Sequence, residues 1–134
     1  MALTTTISQK ELKRVAGLAY ETKTLKVMLC TVGATGYTAE STVANWQSVE
    51  STGTGYVRGS EVIGTGAWDG TDLRYEIPAL DFAFTCSSGA YSYDTVVVYI
   101  NGETYVHSIL VESTLVTIAA GQTQTYRIQL ITDD

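Results

Sequence analysis

Residues 93–112 read YDTVVVYINGETYVHSILVE, two β-branched runs on either side of an Asn-Gly pair. Asn101 and Gly102 both tolerate positive φ, as the central residues of a type I′ turn must, and that turn matches the twist of paired antiparallel strands. The stretch therefore predicts a two-residue hairpin. Its register sets Ile100 opposite Glu103, Val98 opposite Tyr105 and Val96 opposite His107.

Working outward, the same period of two recurs on both sides. Downstream, Leu115 to Ala119 and Thr123 to Ile131 read as a last pair joined by Ala120-Gly121-Gln122, with Tyr126, Ile128 and Leu130 on one side and Arg127 and Gln129 on the other. Upstream, Leu80, Phe82, Phe84 and Cys86 alternate with Asp81, Ala83 and Thr85, which gives a strand with one core face. Leu73, Tyr75 and Ile77 alternate with Arg74 and Glu76 until Pro78, which cannot donate to a ladder. Tyr56 to Ile63 is a weaker strand, interrupted at Gly59, and a turn rich in Gly64, Gly66, Asp69 and Gly70 follows. Leu25 to Val32 is apolar almost throughout, as a strand buried on both faces is, and ends at Gly33. Short strands with Gly-rich turns at roughly ten-residue spacing predict a mainly β domain, an antiparallel β-sandwich or barrel-like fold, over residues 1–134.

One helix precedes the strands, over residues 7–21. Ser8 and Glu11 have the spacing of a capping box, and Ile7 faces Leu12 as a hydrophobic staple. Leu12, Val15, Ala16 and Ala19 then fall on one stripe, with Lys10, Lys13 and Arg14 off it. Gly17 within the run is expected to mark a close approach of another backbone.

Residues 33–55, GATGYTAESTVANWQSVESTGTG, form a long irregular loop with room for one helical turn near Val43 to Val49. Loops of this length in a compact domain are usually functional or ordered by a partner. The loop nevertheless carries Tyr37, Val43, Trp46 and Val49, apolar side chains that a merely solvated loop does not need. With Tyr56 they are the candidate interface residues, and the loop is expected to be mobile in the free chain and fixed on its partner. The competing expectation is that Trp46 simply plugs the core beneath the loop.

Composition narrows the partners and the chemistry. Fourteen acids against eight bases give a net charge of −6, which repels a phosphate backbone and leaves no basic run for nucleic acid or anionic lipid. Residues 1–8 lack the apolar core of a signal peptide, and the apolar stretches are far shorter than the ~20 residues that span a bilayer. A reducing compartment then makes Cys30 and Cys86 small buried hydrophobes with free thiols. A lone histidine cannot build a multi-His metal site, and His107 lies near no predicted nucleophile, so no catalytic residue, metal or cofactor is expected. Asp69, Asp72 and Glu76 could meet a hard cation, but acids in a Gly-rich turn are commonly turn formers. Nine Tyr and two Trp suit either a protein interface or stacking on sugars.

The order of SQKELKRVAGLAYE, TLKVMLCT, GTGYVRGSEV, YDTVVVYINGETYVHSILVES and VTIAAGQTQTYRIQLITDD resembles the small virion structural proteins of tailed bacteriophages, cyanophage-like ones in particular. The resemblance implies a multi-copy, non-enzymatic β-rich subunit with no functional residues that can be carried over. The expected function is a capsid decoration or cement protein, bound to the major capsid protein on the outside of the shell and assembled in the host cytoplasm. The alternatives are a tail adaptor or fibre-proximal protein and, from another class, a carbohydrate- or receptor-binding module.

Overall fold

Valine, isoleucine and aromatic residues pack well on a pleated surface, and the segments richest in them pair as strands. The computed structural model describes residues 8–32, 36–72 and 74–133, with the backbone alone for 131–133. Along the chain run α1 (Gln9–Ala19), β1 (Thr24–Cys30), α2 (Val43–Gln47), β2 (Gly59–Val62), β3 (Ala67–Asp69), β4 (Arg74–Glu76), β5 (Leu80–Thr85), β6 (Ala90–Ile100), β7 (Ser108–Ala119), β8 (Thr123–Ile128) and β9 (Ile131–Asp133). The main sheet has the order β2-β1-β6-β7; β3-β4-β9 and β5-β8 form two smaller ones, and every pairing is antiparallel. The fold is mainly β and sandwich-like, and no sheet closes into a barrel among the described residues.

The apolar run in β1 is explained by its place. Leu25, Val27 and Leu29 face one way, opposite Ile100, Val98 and Val96 of β6, into a core shared with Phe82, Phe84 and Tyr75 of the smaller sheets and Leu12 and Ala16 of α1. Met28 and Cys30 face the other way, with Val97 and Tyr99, into a second core closed by Val43 and Trp46 of α2. Both faces of β1 are thus buried, and each fully buried aliphatic side chain contributes about 1.5–3 kcal/mol.

The hairpin register differs from the expected one. The turn itself forms, with Gly102 at φ +91 and the Glu103 amide donating to the Ile100 carbonyl at 3.1 Å. The ladder resumes only at Ser108, opposite Val98, and the His107 amide donates to Val98, not Val96. A competing partner draws the intervening residues away: the Thr104 carbonyl accepts from the Val43 amide at 2.8 Å, and Tyr105 bridges Thr42. The first amides of a helix have no partner within it, and this segment supplies one to α2.

The last pair is also corrected. Residues 108–119 are one strand, whose ladder to β6 jumps from Thr95 opposite Val111 to Tyr93 opposite Val116 and so omits Glu112 to Leu115. The 120–122 turn forms, but it carries the chain out of the main sheet, and β8 pairs with β5 from Leu80 opposite Ile128 to Thr85 opposite Thr123.

Glycines explain two further differences. Gly59 opens β2 instead of interrupting a strand, because a Cβ there would lie 2.6 Å from the Phe82 ring. The Gly-rich turn contains β3, whose approach to β4 leaves only 2.6 Å between a Cβ at Gly66 and the Glu76 carbonyl.

Helix α1 spans Gln9–Ala19, shorter than residues 7–21, and the chain turns away through Thr22 at φ +67. Ser8 caps it by accepting from the Glu11 amide, while Glu11 turns its carboxylate to Arg14; the staple residue Ile7 lies outside the described residues. Among the described residues outside its own helix, Gly17 has no close backbone neighbour: a Cβ there would meet only the Glu21 carboxylate at 3.5 Å.

Candidate interaction site

Threonine, serine and asparagine compete with the backbone for hydrogen bonds, which favours turns and caps over long helices. The segment 36–58 uses them in that way. Thr42 and Asn45 form a reciprocal capping box that starts α2, a helix too short to stand alone, and tertiary burial holds it. Trp46 is 0% exposed, its indole N–H donates to the Thr38 carbonyl at 3.1 Å, and the Tyr37 ring packs edge-on against it. Val43 is buried and Val49 half-buried against the same core. The expectation that Trp46 waits for a partner is therefore corrected, since its burial is completed within the chain.

The structure brings Tyr37, Val43, Trp46 and Val49 together and sets Tyr56 apart. Tyr56 packs on the first core, stacked with Phe84 and edge-on to Tyr91. Its hydroxyl accepts from the Leu29 amide at 3.0 Å, beyond the last β1–β2 partners, and donates to Glu50 at 2.6 Å. Glu50 also accepts a bidentate ion pair from Arg58, whose remaining nitrogen donates to the Tyr99 hydroxyl at 2.9 Å. Burial, and then the Glu50 carboxylate, push the Tyr56 hydroxyl far above the usual tyrosine range; the bond to Glu50 raises Arg58 further. An open cleft of about 590 Å³ lies beside this network, lined by Thr42, Val43, Arg58, Tyr99, Asn101 and Glu103 among others. No buried side-chain nitrogen or oxygen lacks a hydrogen-bond partner among the described residues, so none is left to point into the cleft.

The remaining chemical candidates are likewise engaged in structure. Asp69, Asp72 and Glu76 bring their ligand atoms within 4.8 Å of one another, but Arg74 pairs with Glu76 at 2.7 Å and Asp72 at 3.4 Å. Asp69 accepts from the Thr71 and Asp72 amides, which hold its carboxyl below the usual range, as a turn former does. His107 contacts Tyr20 through Nε2 at 3.4 Å and Ser108 through Nδ1 at 2.9 Å. Among the described residues its ring nitrogens thus meet two hydroxyls, one of them from the serine next in the chain. Cys30 and Cys86 are free and buried, in different cores, and burial pushes the Cys30 thiol up to about 12.

The surface that the sequence reading missed is strand β7. It is the last strand of the main sheet, and no strand pairs with its outer edge among the described residues. Leu110, Val111 and Leu115 are 50%, 60% and 58% exposed along it. The signal was present: Ile109 to Ile118 contains no Gly, Pro, Asn or Asp to divide it, so the run had to be one strand. The aromatic residues, by contrast, are largely interior, and Tyr105 is the one large aromatic side chain that stands out in solvent among the described residues.

These features define a class, a sandwich-like β module that spends its buried polar groups on its own fold and, among the described residues, leaves an apolar sheet edge uncovered. No protein-family model, curated protein or solved structure matches the chain.

Proposed function

We propose that the chain is a non-enzymatic structural protein of a tailed-bacteriophage particle, a capsid decoration protein that binds the outside of the shell across neighbouring major-capsid subunits. The observation that carries this reading is the distribution of apolar surface, with Leu110, Val111 and Leu115 on one edge of the main sheet and Val57 and Val62 by the other. Apolar residues on both edges of one sheet suit a subunit that touches neighbours on two sides. An acidic chain suits the outer surface, away from packaged DNA, and free buried thiols suit assembly in the host cytoplasm. The resemblance to phage virion proteins supplies the particle; the surface supports the role of a protein-binding module within it.

Copy number in purified particles tests the reading. A shell protein is present in hundreds of copies, whereas a tail adaptor follows the small ring symmetry of the tail. Quantitative electrophoresis against the major capsid protein should give the first result. A ring's worth of copies would transfer the chain to the tail, and absence from the particle would end the proposal.

A further inference from the structure

We propose that the groove between α1 and β3 docks an acidic, extended segment of a partner protein, two of whose carboxylates pair with Lys10 and Lys13 while an apolar side chain further along lies on Trp68. The groove, about 280 Å³, is lined by Lys10, Lys13, Gly66, Ala67, Trp68 and Tyr75 among others. The apolar edge residues assigned to the shell lie outside it, which makes the groove a separate surface, independent of the capsid reading.

Charge selects the occupant. Of the eight bases in the chain, Arg14, Arg58, Arg74 and Arg127 each pair with a carboxylate. Lys23 donates to the Leu18 carbonyl, and Lys26 is half-buried within the main sheet. Lys10 and Lys13 are exposed, and their ammonium groups make no ion pair or hydrogen bond among the described residues. The acids nearby are engaged or turned away. Glu11 pairs with Arg14, and Glu21 accepts from the Gly66 amide at 2.8 Å and the Tyr75 hydroxyl at 3.0 Å. The β3–β4 register sets Asp69, Arg74 and Glu76 on the opposite face of the small sheet from Trp68 and Tyr75. On a chain of net charge −6 the groove is therefore a place where two positive charges meet no answering carboxylate.

Spacing sets the form of the segment. Residues three apart on a helix have Cβ atoms about 5–6 Å apart, and residues two apart on an extended chain lie about 6.6 Å apart on one face. An extended acid-x-acid sequence thus matches Lys10 and Lys13, and an apolar residue two further on falls on the same face. Trp68 receives it: the indole is half-buried, packed on the first core and bordering the groove. Two exposed ion pairs and one apolar contact make a weak, salt-sensitive site. A phosphate backbone or an anionic bilayer does not suit it, because either extends past the two lysines onto a surface of the opposite balance of charge.

The experiment is a titration of the purified, isotope-labelled full chain with the peptide acetyl-Glu-Ser-Glu-Ser-Leu-amide, to about 5 mM, followed by NMR. The Lys10 and Lys13 amides and the Trp68 indole should shift, while the indole of Trp46, which is 0% exposed, stays in place. The analogue with Gln for both Glu should not bind, and the analogue with Ser for Leu should move the lysine signals but not Trp68. Lys10→Glu combined with Lys13→Glu should weaken binding about tenfold or more. Both positions are exposed and near a helix start, where glutamate is favourable, so the variant should melt with the parent. Binding by the parent should fade in about 1 M salt, where the Debye length is ~3 Å. No shift at the highest peptide concentration overturns the proposal, as do equal binding of the Gln analogue, undiminished binding by the folded double variant, or shifts confined to elements other than α1 and β3.

Discussion

The segment 36–58 and strand β7 exchange the places their compositions suggest. The first is rich in Gly, Ser and Thr, yet Trp46 within it is completely buried and Glu50, Tyr56 and Arg58 form its inner network. The second is as apolar as a core strand, yet it leaves Leu110, Val111 and Leu115 in solvent. Burial here is decided by which partner each element finds. The exposed flank of β1 beyond β2 had to be covered, and segment 36–58 covers it: the Thr31 amide donates to Val49 at 3.0 Å and the Ser51 amide to Leu29 at 2.8 Å. Nothing among the described residues does the same for β7.

The largest expected effect breaks the first half of this comparison. Trp46→Ala empties the centre of the second core, and large aromatic truncations at such sites cost about 3–5 kcal/mol. For a chain of this size that lowers the melting temperature by roughly 10 °C or more. Calorimetry checks it. Val111→Lys, on the exposed edge, should stay within about 0.5 kcal/mol of the parent. Similar losses for both would mean that segment 36–58 and β7 are not opposites.

Much of the core was legible because it depends on local periodicity. The alternation of Leu80, Phe82, Phe84 and Cys86 and the continuous run in β1 each correspond to the burial observed. The Ser8 cap was legible for the same reason, since its bond spans three residues. What the sequence did not disclose were choices among partners. Asn101-Gly102 specified a turn but not the register beyond it, because α2 takes the Thr104 carbonyl. Residues 120–122 specified a turn but not that β8 would leave β7 for β5. Among the candidate interface residues the same holds in part: Val43 and Trp46 find their cover within the chain, and Tyr37 and Val49 are half-buried against the same core.

A middle-sized effect is expected at the boundary between the two regions. Gly102 sits at φ +91 with open space where a Cβ would project, so a substitution there meets conformational strain without collision. Gly102→Val should cost about 1 kcal/mol or more, the scale of incompatible glycine replacements. Gly102→Asn should recover most of that loss, since Asn tolerates positive φ. Urea unfolding of the two variants checks it; equal losses would show that the residue's space, not its φ, is what matters.

The smallest effect concerns His107, at the point where the chain returns from α2 to begin β7. Tyr20 packs edge-on against the ring at 5.7 Å and Ser108 bonds its other side, and this partial desolvation of a ring that stays exposed lowers its pKa from the usual 6.5. A lowered pKa disfavours the imidazolium in the folded state, so between the folded and unfolded values the unfolded chain binds more protons. Stability is therefore undiminished above about pH 6.5 and falls as the pH drops through that value toward the folded pKa. His107→Gln removes the titration while keeping a polar side chain. The parent should lose slightly more stability than the variant between about pH 8 and pH 5.5, a small difference because the ring is exposed and solvent screens it. Carboxylates titrate in both proteins, so the difference between their pH profiles isolates His107. Parallel profiles would show that the ring is solvated and that the start of β7 is as open as its edge; a steeper fall in the parent would place the boundary between covered and uncovered chain after His107, at Ser108.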